Sequence, residues 1–143
     1  VLTWYMVFEE GCNTTLGQML PEFADFYANL NKRVVDLMVP FSKGWYVDAG
    51  FGGSASIKKV LPVLVPELSY KVLGIQEGGA AQRLWMESVL DGTRANEKAK
   101  ILSDLDEYCA LDTLAMVEIY DFLINLVGTS GPKAQPQQLA LDW

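Results

Sequence analysis

The chain has 143 residues, half of them hydrophobic, and a formal charge of −7, which suffices for one domain with a real core and is short for two. That charge argues against a broad basic surface for unaided nucleic-acid binding and leaves room for a local basic groove. Histidine is absent, which excludes a Ser-His-Asp or Cys-His site, a His-ligated zinc and a His general base, and leaves hydrolytic chemistry to carboxylate and tyrosine around a hard cation.

Val1 to Phe8, VLTWYMVF, is rich in β-branched and aromatic residues and predicts a buried strand. The chain opens inside this apolar run on Val rather than Met, which suggests that an upstream portion precedes it. Glu9 and Glu10 follow, and Leu16, Met19 and Leu20 recur at helical spacing. Glu9 therefore sits in the first turn of a helix fed by the strand. It is either a favourable charge at a helix N-terminus or a site carboxylate.

Pro21 opens a second amphipathic helix, PEFADFYANLNKR, with Phe23, Phe26, Tyr27 and Leu30 on one side as core candidates. Val34 to Val39 reads as a short apolar strand interrupted by Asp36 and closed by Pro40. Asp36 is either paired within the structure or faces the end of the sheet, where sites collect. Pro40 to Gly53 is a long loop or irregular hairpin. Its Gly50-Phe-Gly52-Gly53 lacks the Lys-Ser/Thr ending of a phosphate loop, so a flexible turn is the preferred reading. Ser54 or Ser56 caps the following helix, SIKKVLPVL. Lys58 and Lys59 are adjacent on it, so only one can point towards a substrate backbone.

Pro62 and Pro66 are expected to break that helix into short pieces, and LSYKVLGIQEGG reads as a turn-rich connector. Ala80 to Leu90 predicts a helix with Leu84, Trp85, Val89 and Leu90 apolar, ended by Asp91-Gly92. A long helix starts near Lys98. Placing Asp112 at zero and turning about 100° per residue, Ile101, Leu105, Tyr108, Cys109, Ala115, Met116, Ile119, Leu123 and Leu126 fall within roughly 60° of it. Asp112 is the one acid in an apolar stripe, with Tyr108 one turn away. A carboxylate withdrawn from water must be paired, hydrogen-bonded or metal-bound. After Gly128, residues 129–143 form a polar, Pro-rich tail.

Cys12 and Cys109 are too few for a zinc cluster or a disulfide framework and read as free thiols. No apolar run approaches the roughly 20 residues that cross a bilayer, and no basic-then-apolar leader is present, so the chain reads as soluble and cytoplasmic.

Tyr108-Cys-Ala-Leu-Asp112 resembles the Tyr-x-x-x-Asp motif of the DEDD-type, ribonuclease-H-like 3′ to 5′ exonucleases. Phe8-Glu9 at the end of the first strand resembles their second motif, in which an Asn and a spacer precede Phe-Asp or Phe-Glu, although Tyr5 stands at the Asn position. DLMVPFSKGWY, GSASIKKVLPVLVPELSY and EYCALDTLAMV look like a bacterial family of uncharacterised proteins similar to these exonucleases and often joined to a RecB-like or Cas4-like nuclease region. The resemblance covers roughly Val1 to Leu126.

It implies an α/β, partial ribonuclease-H-like fold: a small sheet packed by helices, helix-rich by residue count, with residues 1–128 as the C-terminal portion of the domain. It also implies that Glu9 and Asp112 hold Mg²⁺ or Mn²⁺, that Tyr108 orients the attacking water, and that the complete protein acts on a single-stranded 3′ end, for whose backbone Lys58 or Lys59 is the candidate contact. The superfamily's first motif, Asp-x-Glu on a strand, does not occur here. Two-metal hydrolysis needs enough anionic ligands to hold cations about 4 Å apart, so the expected activity is that of one part of an exonuclease, inactive alone. The alternative is a catalytically dead module that binds nucleic acid or a protein. The first strand, without its upstream neighbours, would leave an exposed edge open to self-association.

Overall fold

The computed structural model of the chain describes residues 1–128; the expected polar tail lies outside the described residues. The fold is α/β and rich in helix, with a two-stranded parallel sheet. Strand β1 (Leu2–Thr3) pairs with β2 (Val35–Asp36) in the register Leu2 to Val35 and Thr3 to Asp36. The N-terminal segment and the Val34–Val39 segment are thus neighbouring strands, as the sequence suggested.

The first strand is much shorter than expected. The chain leaves β1 at Trp4 and enters helix α1 (Met6–Met19) through Tyr5, whose φ of 77° is the one positive value at a non-glycine residue among the described residues. Asp36 supplies the reason. Its Oδ1 accepts the backbone N–H of Tyr5 at 3.1 Å and its Oδ2 that of Met6 at 2.9 Å, while Oδ1 also accepts from Met38 N at 2.9 Å. A carboxylate at the end of β2 satisfies the orphan donors that begin α1. The apolar run VLTWYMVF has strand propensity, and this capping interaction overrides it. Of the two readings of Asp36, the structural one is what the fold uses.

A 3₁₀ turn, Pro21–Phe23, joins α1 to α2 (Ala24–Asn31), and the two helices pack on each other. Gly17 faces α2, and a Cβ there would meet the Ala24 Cα at 3.5 Å, an ordinary packing distance. Asn31 clasps the pair, accepting from Asn13 Nδ2 at 2.9 Å and donating to the Glu10 carbonyl at 3.2 Å. Phe23 and Phe26, expected in the core, are exposed, as are Val7, Phe8 and Met19. The hairpin buries no residue fully; among the described residues its amphipathic pattern has no second layer to pack against.

The core lies further along. Helix α3 (Val39–Ser42) carries Phe41, a 3₁₀ turn at Ala49–Phe51 carries Phe51, and α4 (Ile57–Leu64) carries Val60 and Leu61. Trp4 stacks on Phe41 with ring centroids 5.5 Å apart and donates its indole N–H to the Ala55 carbonyl at 3.2 Å, tying the N-terminal strand to this core. The loop expected at Pro40–Gly53 is thus two short helical turns around an aromatic cluster. Gly52 and Gly53 have φ of 59° and 75° and form a turn. Ser56 occupies the N-cap position of α4 without a side-chain bond, while Ser54 Oγ accepts from Ser56 N at 3.2 Å.

Pro62 does not break α4, which runs through it to Leu64. The missing N–H costs one intrahelical bond, and the burial of the adjacent Val60 and Leu61, each worth about 1.5–3 kcal/mol, outweighs it. A 3₁₀ turn at Tyr70–Val72 follows, then α5 (Gly78–Trp85), which continues as a π-helical turn over Met86–Leu90. Gly92, with φ of 71°, ends it where expected. Trp85 and Leu90 are exposed, and Ser88 is buried instead.

Helix α6 (Lys98–Gly128) is the long helix foreseen. Ile101, Tyr108, Ala115 and Ile119 are its buried residues, a single face that includes Asp112's neighbours one turn either side. Cys109, placed on that stripe by its angle, is exposed, and both cysteines are free. Leu126, also placed on the stripe by its angle, is exposed. No helix of the described residues is long and apolar enough to cross a membrane.

Candidate functional site

Asp112 is half-buried on α6, with Ala115 and Ile119 wholly withdrawn from solvent beside it. Its Oδ1 accepts a hydrogen bond of 2.5 Å from the phenol of Tyr70, 42 residues earlier. Tyr70 stands in the connector that the sequence describes only as turn-rich. Ser69 builds its turn, accepting from Lys71 N at 3.3 Å, and the ring is buried at 5% exposure. Tyr108 lies alongside, its ring centroid 5.9 Å from that of Tyr70. Its hydroxyl also comes near α5, 3.7 Å from where a Cβ on Gly78 would stand.

Burial, with the charge of Asp112 next in weight, pushes the Tyr108 pKa up to about 12. Tyr70 is pushed up further, by burial first and then by its hydrogen bond to Asp112. Both phenols therefore stay neutral across the physiological range and are fitted to donate, not to act as bases. Tyr70 donates to Asp112 and fixes the orientation of its carboxylate; Tyr108 can hold a water or an anionic oxygen in front of it.

A cavity of about 390 Å³ opens here. Glu9, Asn13, Tyr108, Asp112 and Met116 line it together with the segment from Val1 to Trp4 that contains β1. Glu9, exposed in the first turn of α1, is thus brought to the same cavity as two residues about a hundred positions away. Lys58 is half-buried and reaches the site's edge, its Nζ 5.9 Å from the centre of the Tyr70 ring. Lys59 is exposed, and neither lysine lines the cavity itself. Sequence spacing could separate neither the two lysines nor the two readings of Glu9, since both depend on where α4 and α1 lie. Tyr70 carried no periodic signal at all; a buried acid in need of a donor was the only hint that such a residue had to exist.

Among the described residues, no group of three or more His, Cys, Asp or Glu side chains is gathered closely enough to hold a metal ion. Asp112 already spends one oxygen on Tyr70. The described residues therefore do not by themselves fit a two-cation site, which needs several carboxylates to offset the cost of stripping Mg²⁺ of its waters.

A family model described as a domain of unknown function, DUF2779, matches residues 1–56. This stretch contains Glu9 and Asp36 and ends before Lys58, Tyr70, Tyr108 and Asp112. Two curated relatives, the uncharacterized protein MG366 of Mycoplasma genitalium and the uncharacterized protein MG366 homolog of Mycoplasma pneumoniae, are each 32% identical over 82 residues. The match covers 52% of this chain and spans 12% of the length of each relative. No solved structure matches the chain.

Proposed function

We propose that this chain is the C-terminal part of a cytoplasmic, ribonuclease-H-like domain of the 3′ to 5′ exonuclease type, which receives the 3′ end of a single-stranded nucleic acid in the cavity between α1, β1 and α6. The observation that carries this reading is the shared cavity: Glu9 and Asp112, both acids of the motifs that prompted it, line one volume with Tyr108. Within it, Tyr108 donates a hydrogen bond to a water or phosphate oxygen and Asp112 is held in orientation by Tyr70, while Lys58, outside the cavity lining and against the Tyr70 ring, offers a cation to the backbone. Cleavage dependent on Mg²⁺ or Mn²⁺ belongs, in this reading, to a longer protein that adds an Asp-x-Glu strand. Among the described residues the sheet has two strands and no further strand pairs with either, which suits pairing with such a strand, or with a second copy when it is absent.

The test is a 5′-labelled single-stranded DNA or RNA incubated with either metal. The chain alone should leave it intact. The chain joined to an upstream Asp-x-Glu segment should shorten it from the 3′ end, lose that activity on Asp112→Asn without loss of fold, and slow on Tyr108→Phe. An inert joined protein, with Asp112→Asn altering only thermal stability, overturns the enzyme reading.

A second reading, a catalytically dead module that binds nucleic acid or a protein, is favoured by one observation: the Asp112 carboxylate already accepts from Tyr70. Retention of a single-stranded oligonucleotide without cleavage, weakened by Lys58→Glu, would support it.

A further inference from the structure

Helix α6 is apolar on two opposite faces. At about 100° per residue, Val117 lies roughly 180° from Tyr108, and Tyr108 with Ala115 and Ile119 points into the core. On the outer side, Ala110, Thr113, Val117, Tyr120, Ile124 and Val127 recur at alternating steps of three and four, and every one of them is exposed. Val117 is 46%, Ile124 48% and Val127 72% exposed. Spacing of this kind is the seam into which a second helix sets its side chains, and from Ala110 to Val127 it runs about 26 Å. A helix apolar on both sides is ordinarily covered on both.

The charges along α6 say what covers it. From Ile101 to Gly128 the helix carries Asp104, Asp106, Glu107, Asp112, Glu118 and Asp121 and no lysine or arginine. Glu107, Glu118 and Asp121 fall along one flank of the outer seam, between about 40° and 100° from Val117. Two copies of this helix set face to face would oppose acid to acid, in a chain whose net charge is already −7. We propose that the outer face of α6 docks an amphipathic helix of a partner protein, whose apolar stripe fills the seam and whose lysines or arginines lie against the acidic flank. This surface is on the opposite side of α6 from the cavity and does not depend on the exonuclease reading.

The test uses the full chain and a fluorescein-labelled model peptide of about 20 residues, long enough to span the seam, with a leucine stripe and lysines on one flank. Fluorescence anisotropy should show saturable binding. The same peptide with glutamates on the flank, or with serines in place of the leucines, should bind at least about tenfold more weakly. Val117→Ser with Ile124→Ser should lower affinity at least about tenfold, whereas Val7→Ser with Phe8→Ser, which alters the exposed apolar surface of α1, should leave it unchanged. Should the serine pair unfold the protein, Val117→Ala with Ile124→Ala repeats the measurement with good helix formers. Equal binding of the glutamate peptide, or equal loss from the α1 pair, overturns the proposal. So does a dimer in sedimentation that Val117→Ser with Ile124→Ser dissolves, which would give the face to a second copy. A tenfold rise in peptide affinity on removal of residues 129–143 would give it to that segment instead, and also overturns the proposal.

Discussion

The phenol of Tyr70 donates to the Asp112 carboxylate across 2.5 Å, so the one acid in the apolar stripe of α6 is answered by a residue from a turn 42 positions earlier. A charged acceptor makes this bond stronger than a neutral one, and the buried setting of Tyr70 makes its loss expensive. Tyr70→Phe should lower the free energy of unfolding by about 1.5–3 kcal/mol, measured by urea denaturation. Asp112→Asn keeps an acceptor for Tyr70 and should cost less. A larger effect from Asp112→Asn than from Tyr70→Phe would mean that the charge, and not the hydrogen bond, holds the site together.

Asp36 should prove one of the costliest surface-proximal acids to remove. Asp36→Ala leaves the N–H groups of Tyr5, Met6 and Met38 without their acceptor and should destabilise by about 2–3 kcal/mol. Asp36→Asn retains one carbonyl oxygen and should cost about half as much. Urea unfolding of both variants, read by far-ultraviolet circular dichroism, checks the order.

Tyr5 adopts the left-handed region at φ 77°, a conformation that costs a residue with a Cβ about 1–2 kcal/mol and suits Asn or Gly. Its side chain is 52% exposed and gives little packing in return. Tyr5→Asn should therefore raise stability by about 0.5–1 kcal/mol, seen as a higher urea midpoint at unchanged slope. A drop would show that the aromatic ring packs more usefully than its exposure suggests.

Gly50 lies against α4: a Cβ there would meet Val63 Cγ2 at 2.8 Å. Gly50→Ala should cost about 1–3 kcal/mol by forcing Val63 off its position. Gly50→Ala combined with Val63→Ala should recover part of that loss in a double-mutant cycle.

The raised phenols predict a pH dependence. The Tyr108 pKa stands at about 12 in the fold against 10.0 as the ordinary value. A group whose pKa is raised on folding contributes its stability in full below pH 10 and loses it as pH rises through about 12. Thermal unfolding midpoints measured from pH 9 to 12 should therefore fall more steeply for the native chain than for Tyr108→Phe. Parallel curves for the two would remove Tyr108 from the buried cluster.

The sequence by itself determined what depends on local periodicity. The period of about 3.6 set out α6 and placed Asp112 among Tyr108, Ala115 and Ile119, because side chains three and four apart share a face whatever that face later meets. Apolar runs at Val1 and Val34 marked two neighbouring strands, and Asp91-Gly92 marked a stop, since a glycine with positive φ is a local requirement. Tertiary structure alone decided the partners. Asp36 shortens β1 by capping α1 from the neighbouring strand, Tyr70 reaches Asp112 out of an aperiodic turn, and α1 brings Glu9 to the cavity of Tyr108. Phe23 and Phe26 were misread for the same reason: a stripe shows that a face is apolar, and whether that face is covered is settled by an element elsewhere in the chain. Hydrogen bonds and burial between distant segments have no period along the sequence, so only the fold could assign them.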